Sequence, residues 1–459
     1  MINNKKFICI FIQLIIVMLL AIIFNFTDVN FSTIYMWNII SILLFIWSFY
    51  SWVIIQGTVI NIYTIFLVFC YIFNFAQIII YCFNLTDNIY INKIFQLYSK
   101  ESIINSTIFA IFCLAFLHLG ALIFGKKNIR IDLYKINDYK LEKCHTAGVI
   151  IFLICIVPTI VFDGSYIINN LKYGYLSIFS LSVNYGLWDD LSRMMKTAII
   201  LLIISNIKKE SKFNFWFYLG VIYSIIKIAL IGQRGYELAF IITLFWLKIT
   251  FYNFKAKKLD VLKYGISAII FLKIMYIISE VRGMSLKYLT VDIIVEKFLD
   301  NSFIINQFSE LGSSLGTICA FFEKVPLYVP HGYGISYIKS LLLFLPNLSF
   351  ISDSIYIGNN PVFYISQYYE ALGGSIFGEL YYNFGWNGCI LAILPGILIA
   401  ILSTKLSYNP IFITFCSLIL CMLLWLIRDT FSYIPRYALF NIIIPFIVYK
   451  IIKPINFKL

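Results

Sequence analysis

The sequence predicts an all-α polytopic membrane protein of about twelve transmembrane helices with one large outward loop, and three observations predict it. The 459-residue chain is 61% hydrophobic and only 12% charged, with mean hydropathy +0.90, which excludes a water-soluble domain. Apolar runs long enough to cross the hydrocarbon core as helices recur along the whole length. Lysine and arginine in the connections are denser on one side of such a bundle than on the other, which orients it.

The spans fall at roughly 7–26, 34–55, 58–83, 103–124, 147–162, 191–207, 213–231, 236–254, 264–279, 375–402, 410–427 and 437–452. The first follows Asn3-Asn4-Lys5-Lys6 and begins like a signal peptide. It lacks a small-residue cleavage site and eleven spans follow, so it is read as a retained helix. Alternating from an inside N-terminus places Lys126-Lys127 to Lys143, Lys208-Lys209 with Lys212, Lys255 to Lys263, and the Lys450/Lys453/Lys458 tail on one face. That face carries 19 basic residues against 11 on the other, so both termini are assigned to the cytoplasm. The net charge of +13 follows from this bias and asks for no nucleic-acid partner. Two outward connections are long: 163–190, rich in Tyr, Asn, Ser and Gly, and 280–373, too small to bury a core of its own. The chain thus divides into nine helices over 1–279, the large loop 280–373, and three helices over 374–459. Within the loop, 291–308 has apolar residues at helical spacing and reads as an amphipathic helix at the interface.

Several chemistries are excluded. The inward loops are about 20 residues at most, and no glycine loop followed by lysine cradles a phosphate. Ten cysteines lie mostly inside spans, only Cys319 clearly in an outward loop, and the three histidines are scattered. No disulfide framework, zinc spacing or metal site is expected.

The arginines are the informative charges. Among 35 basic residues only six are arginine, and five of these (Arg193, Arg234, Arg282, Arg428 and Arg436) fall on the outward face; Arg130 lies on the other. A guanidinium grips phosphate or carboxylate through two parallel hydrogen bonds, so an anionic, phosphate-bearing ligand is expected outside. The plainer alternative is that they anchor helix ends in headgroups.

Four constellations could carry chemistry, three of them with an outward arginine. Gly373-Gly374-Ser375-Ile376-Phe377-Gly378-Glu379, continuing through Tyr382-Asn383 to Gly388, re-enters the membrane. Gly374 and Gly378 allow close helix approach, and Glu379 and Asn383 share a face beside Tyr382. A carboxylate entering hydrocarbon is paired or functional; either a general base or an arginine-paired helix tie fits Glu379. Gly232-Gln233-Arg234-Gly235-Tyr236-Glu237 is an outward turn in which Glu237 could neutralise Arg234. Glu280-Val281-Arg282-Gly283 repeats the Arg-Gly pattern. Arg428-Asp429 to Arg436 forms the last outward turn, in which Arg436 has no obvious local partner. Lys227 and Lys273, inside spans, are read as snorkelling or paired with an acid. His331-Gly332-Tyr333-Gly334 is a turn able to bind sugar or phosphate, although a lone loop histidine is more often incidental and the tyrosines equally suit an interfacial belt.

The stretch GGSIFGELYYNFGWNG, preceded by HGYGISYIKSLLLFLPN and Arg282-Gly283, resembles the oligosaccharide repeat-unit polymerases of the Wzy type, which build O-antigens and capsules. The resemblance implies a membrane-embedded, GT-C-like inverting glycosyltransferase. It would act at the periplasmic face of the bacterial inner membrane on undecaprenyl-diphosphate-linked oligosaccharides, alongside a chain-length-regulating membrane protein, with no metal and no cofactor. Glu379 is then the candidate base, with Arg282 and Arg234 the candidate catalytic cations. Arg193, Arg428, Arg436, His331, Tyr333, Tyr382 and Asn383 are the candidate ligands for diphosphate or sugar. An O-antigen ligase shares the long loop and the arginines; a lipid-linked repeat-unit flippase shares the span count but is expected to keep its outward loops short. A membrane scaffold would explain the spans and not the arginines.

Overall fold

The computed structural model describes residues 2–28, 30–86, 93–127, 133–173, 187–232, 234–252, 269–270, 272–278, 280, 290–300, 302–344, 360–369, 372–404 and 408–453. Among the described residues the chain is helical and contains no strand. The main helices are α1 (Ile2–Phe26), α2 (Ile34–Gln56), α3 (Ile62–Cys82), α4 (Lys100–Phe124), α5 (Asp138–Tyr173), α6 (Leu187–Ser205), α7 (Glu210–Ile231) and α8 (Gly235–Phe251). They continue with α9 (Val291–Leu299), α10 (Phe303–Leu311), α11 (Ser314–Lys324), α12 (Ile335–Leu341), α13 (Ile376–Phe384), α14 (Ile393–Thr404), α15 (Pro410–Leu426) and α16 (Tyr433–Ile451).

Seven of these (α1–α5, α7 and α16) are long and apolar enough to cross a membrane, and eight if the pair Ile376–Leu391 and Ile393–Thr404, bent by 55°, is one span. The difference from twelve has local causes. The first turns of α6 hold Asp189, Asp190, Arg193 and Lys196, α8 and α15 are 17 residues each, and the span expected at 264–279 is described only in part. Two other expectations shift. The helix expected at 147–162 runs on to Tyr173, so it takes in the start of the 163–190 connection. The single amphipathic helix expected at 291–308 is two, because Asp300 Oδ1 accepts the Ser302 N–H (2.7 Å) and hydroxyl (2.7 Å) and starts α10 afresh.

The chain divides into two compact units. Unit 1 comprises Met1–Arg130, Phe308–Leu406 and Leu423–Pro435; unit 2 comprises Ile131–Gln307, Ser407–Met422 and Arg436–Leu459. The 280–373 stretch therefore contributes to both.

Unit 1 is built around α4, buried almost throughout from Ser102 to Leu122. Ser99 caps it by accepting the Ser102 N–H, and α3 starts on a reciprocal capping box between Asn61 and Thr64. α14 crosses α4 backbone against backbone. A Cβ on Gly120 would lie 2.3 Å from the Ile393 oxygen, and one on Gly396 would lie 2.0 Å from the Leu117 oxygen. Small residues at such crossings let dispersion act where lipid removes any hydrophobic drive. α11 packs on α4 and α13 with Leu315, Ile318, Cys319 and Phe321 buried, so Cys319 is a core residue and not an exposed loop thiol. His118 is likewise structural: its ring nitrogens meet Ser51 Oγ (2.8 Å) and Tyr63 Oη (2.6 Å).

Unit 2 packs α5, α6, α7 and α8 around a buried ionic quartet. Lys196 Nζ lies 2.7 Å from Glu237 Oε1, and Lys227 Nζ lies 2.9 Å from Asp163 Oδ1 and 3.7 Å from Glu237 Oε1. Each of the four helices supplies one charge, and the charges cancel. The Lys196 ammonium also sits 3.6 Å from the Tyr236 ring centroid. α16 joins through Asn441 Oδ1, which accepts the Thr197 hydroxyl at 2.8 Å, inside a π-helical segment at Leu439–Ile443.

Candidate functional site

The most developed polar cluster of unit 1 forms where α13 begins. Ser375 caps the helix by accepting the Gly378 N–H at 3.2 Å. A Cβ on Gly374 would lie 2.5 Å from the Asp429 Cα, so glycine there lets the 428–431 turn lie against the helix start. A Cβ on Gly378 would likewise lie 2.8 Å from the Phe321 ring. The two glycines thus admit a turn and a side chain where their spacing predicts the approach of another helix, and Gly374 precedes the helix.

This approach places two neutral donors on Glu379. The Phe431 N–H donates to Oε2 at 2.7 Å and the Ser336 hydroxyl to Oε1 at 2.9 Å. Asn383, one turn on, donates through Nδ2 to Ser336 Oγ (2.8 Å) and to the Glu379 carbonyl (2.9 Å), while its Oδ1 accepts the Gly334 N–H at 3.0 Å. Glu379 and Asn383 are 0% exposed and Ser336 1%. Among the described residues Glu379 has no cationic partner, which sets aside the arginine-paired tie in that set. A buried carboxylate held by neutral donors alone is costly, and in hydrocarbon such a residue points to function.

The 331–334 turn is pinned on the same helix. Gly332 and Tyr333 donate their N–H groups to the Tyr382 and Asn383 carbonyls, each at 3.0 Å, and His331 Nδ1 lies 3.1 Å from the Tyr382 oxygen. Tyr333 has φ +46° and its side chain is 79% exposed. Tyr382 stacks on Tyr364 with centroids 6.3 Å apart and planes 17° from parallel. Glu379, His331, Tyr333, Tyr382 and Asn383 are therefore brought together, and Arg428 stands three residues before Phe431. Arg428 Nη2 donates to Ser313 Oγ (3.1 Å), and its guanidinium lies over the Phe73 ring.

The remaining arginines are in unit 2, except Arg282 and Arg130, which lie outside the described residues. Arg436, for which the sequence offers no local partner, is bound side-on by Asp190: Nε donates to both carboxylate oxygens at 2.8 Å. Arg193 is held by Asp189, with Nε to Oδ1 at 2.7 Å and Nη2 to Oδ2 at 2.8 Å. Arg234 Nη1 reaches the Met275 carbonyl (3.3 Å) and Gln307 Oε1 (3.4 Å), while Glu237 turns its Oε1 to Lys196. Ser336, the Phe431 amide, Asp190 and Lys196 were not legible as site residues. Only Asp189-Asp190 carries a signal, as tandem acids closing the 163–190 connection just before Arg193.

Seven helices long and apolar enough to cross a membrane, with a polar cluster buried at the head of a bent helix pair, define a multi-pass membrane protein. The chain belongs to the O-antigen polysaccharide polymerase Wzy family, whose family model matches residues 7–458. Membership makes it an O-antigen repeat-unit polymerase acting on lipid-linked oligosaccharide units in the membrane. No curated protein and no solved structure matches the chain.

Proposed function

We propose that the chain polymerises undecaprenyl-diphosphate-linked repeat units at the periplasmic face of the inner membrane, as a GT-C-like glycosyltransferase of twelve spans with both termini in the cytoplasm. The growing chain is the donor and the next lipid-linked unit the acceptor. Glu379 takes the proton of the acceptor hydroxyl as the oxygen attacks the anomeric carbon. The bond from that carbon to the lipid diphosphate breaks on the opposite face, which inverts the configuration. The departing diphosphate carries off the electron pair, and guanidinium groups stabilise its charge. Arg428, Arg436, Arg193, Arg234 and Arg282 are the candidates for that role; Tyr333, Tyr382, His331 and Asn383 line or shape the sugar side. A chain-length-regulating membrane protein is the expected partner.

The observation that carries this reading is the buried Glu379 carboxylate held by two neutral donors. Each carboxylate oxygen keeps a second lone pair beyond the bond it accepts, and one of these takes the proton. The test is reconstitution in vesicles with lipid-linked repeat units. Glu379→Gln keeps both contacts, because the Ser336 hydroxyl can accept as well as donate. Polymer formation by this variant is expected to fall about 10²–10⁴-fold, the usual share of a general base, at an unchanged melting temperature. Wild-type turnover in the folded variant would remove Glu379 from the chemistry.

A further inference from the structure

The Arg436–Asp190 pair lies within unit 2 and joins residues 246 apart in sequence. Both stand in the first turns of their helices, α6 and α16, so both lie at the same membrane side whatever the orientation. Asp190 is almost wholly buried, with 5% of its side-chain surface exposed, whereas Arg436 keeps 32%. The carboxylate uses Nε and Nη2, the side edge of the guanidinium. Of the five N–H donors on that group, those of Nη1 make no bond among the described residues. Arg193 is held by the adjacent Asp189 through the same two nitrogens. A second contact between the two helices, Thr197 with Asn441, fixes the rotation of α16 and hence where Arg436 projects.

We infer that Asp190 is a positioning residue that holds Arg436 side-on and presents its Nη1 edge to the diphosphate of a lipid-linked ligand. This rests on the reading that the outward arginines take the diphosphate. A salt bridge made only for stability has no need of an exposed guanidinium edge, and burying an ion pair is seldom stabilising over an apolar pair. Fixing a guanidinium before the ligand arrives lowers the ordering cost of binding, and planar phosphate recognition rewards that orientation.

The test uses the full chain in phosphatidylcholine nanodiscs with farnesyl diphosphate as probe, reading affinity and melting temperature together. Asp190→Asn is expected to lose at least tenfold in affinity while its melting temperature stays near wild type. The charge swap Asp190→Arg with Arg436→Asp restores the ion pair but moves the cation to α6; melting is expected to stay near wild type and affinity to remain lost. Wild-type affinity in Asp190→Asn, or recovery of affinity in the swap, would make the pair structural and overturn the inference while leaving the diphosphate reading intact. If Asp190→Asn does not fold, Asp190→Glu replaces it, with the same loss expected and wild-type affinity again overturning the inference. Displacement of the probe by phosphatidylglycerol would assign the edge to bulk headgroups and overturn it too. Absence of probe binding by the wild-type chain would remove the diphosphate reading itself, and the inference with it.

Discussion

Tyr333 adopts φ +46°, a conformation that costs an L-residue about 1–2 kcal/mol, and its ring is left exposed. Its backbone is pinned by the Asn383 carbonyl, and Asn383 also orders Ser336 and through it Glu379. Tyr333→Gly should therefore melt higher, by about 1 kcal/mol of stability. If the ring stacks on sugar, the same variant should show a raised KM for the lipid-linked acceptor. A more stable variant with unchanged KM would reduce Tyr333 to a tolerated outlier. At this scale the sequence shows the residue types and hides the partners. Glu379 and Asn383 are legible one turn apart on a helix, because i, i+4 is a local relation. Ser336 and the Phe431 amide, 43 and 52 residues from Glu379, belong to no periodicity, and a backbone N–H leaves no mark in side-chain chemistry.

Two of the devices by which the described helices meet are glycine contacts and buried charge. Gly396→Val would force a branched side chain into the Leu117 backbone, where no rotamer can help. We expect loss of the folded protein from detergent extracts on size-exclusion chromatography, and a monodisperse variant would deny the α4–α14 crossing. In unit 2, Lys196→Met strips the nearest cation from Glu237 and should destabilise by about 3–5 kcal/mol. Adding Glu237→Gln should recover much of that loss in thermal melts, since the uncompensated charge is then gone. No recovery would mean that Lys196 acts by packing. Lys227 shows what hydropathy does reveal: a lysine inside an apolar run announces an acid nearby, and Asp163 and Glu237 answer it. Which acid answers is a matter of tertiary packing. The break at Asp300 is hidden in the sequence because apolar spacing continues across it, while a capping side chain interrupts the backbone.

The whole molecule was readable as a multi-pass helical protein because hydrocarbon forces apolar runs of a minimum length. It was less readable as a count, since a helix such as α6 mixes four charges into its first turns and partners them within the protein. Reporter fusions or cysteine accessibility should place the 331–334 turn, residue 190 and residue 436 on the periplasmic side and both termini in the cytoplasm. Reversal of that pattern would deprive the arginines of their proposed ligand. Family membership supplies the polymerase; the chemistry at Glu379 is the claim at stake. Surface polysaccharide gels of a deletion strain complemented with wild type or Glu379→Gln, at matched membrane levels, test it most directly. The account predicts long ladders with the wild type and lipid A–core capped by a single repeat unit with the variant; full ladders from Glu379→Gln, or a core lacking any repeat unit in the deletion strain, would contradict it.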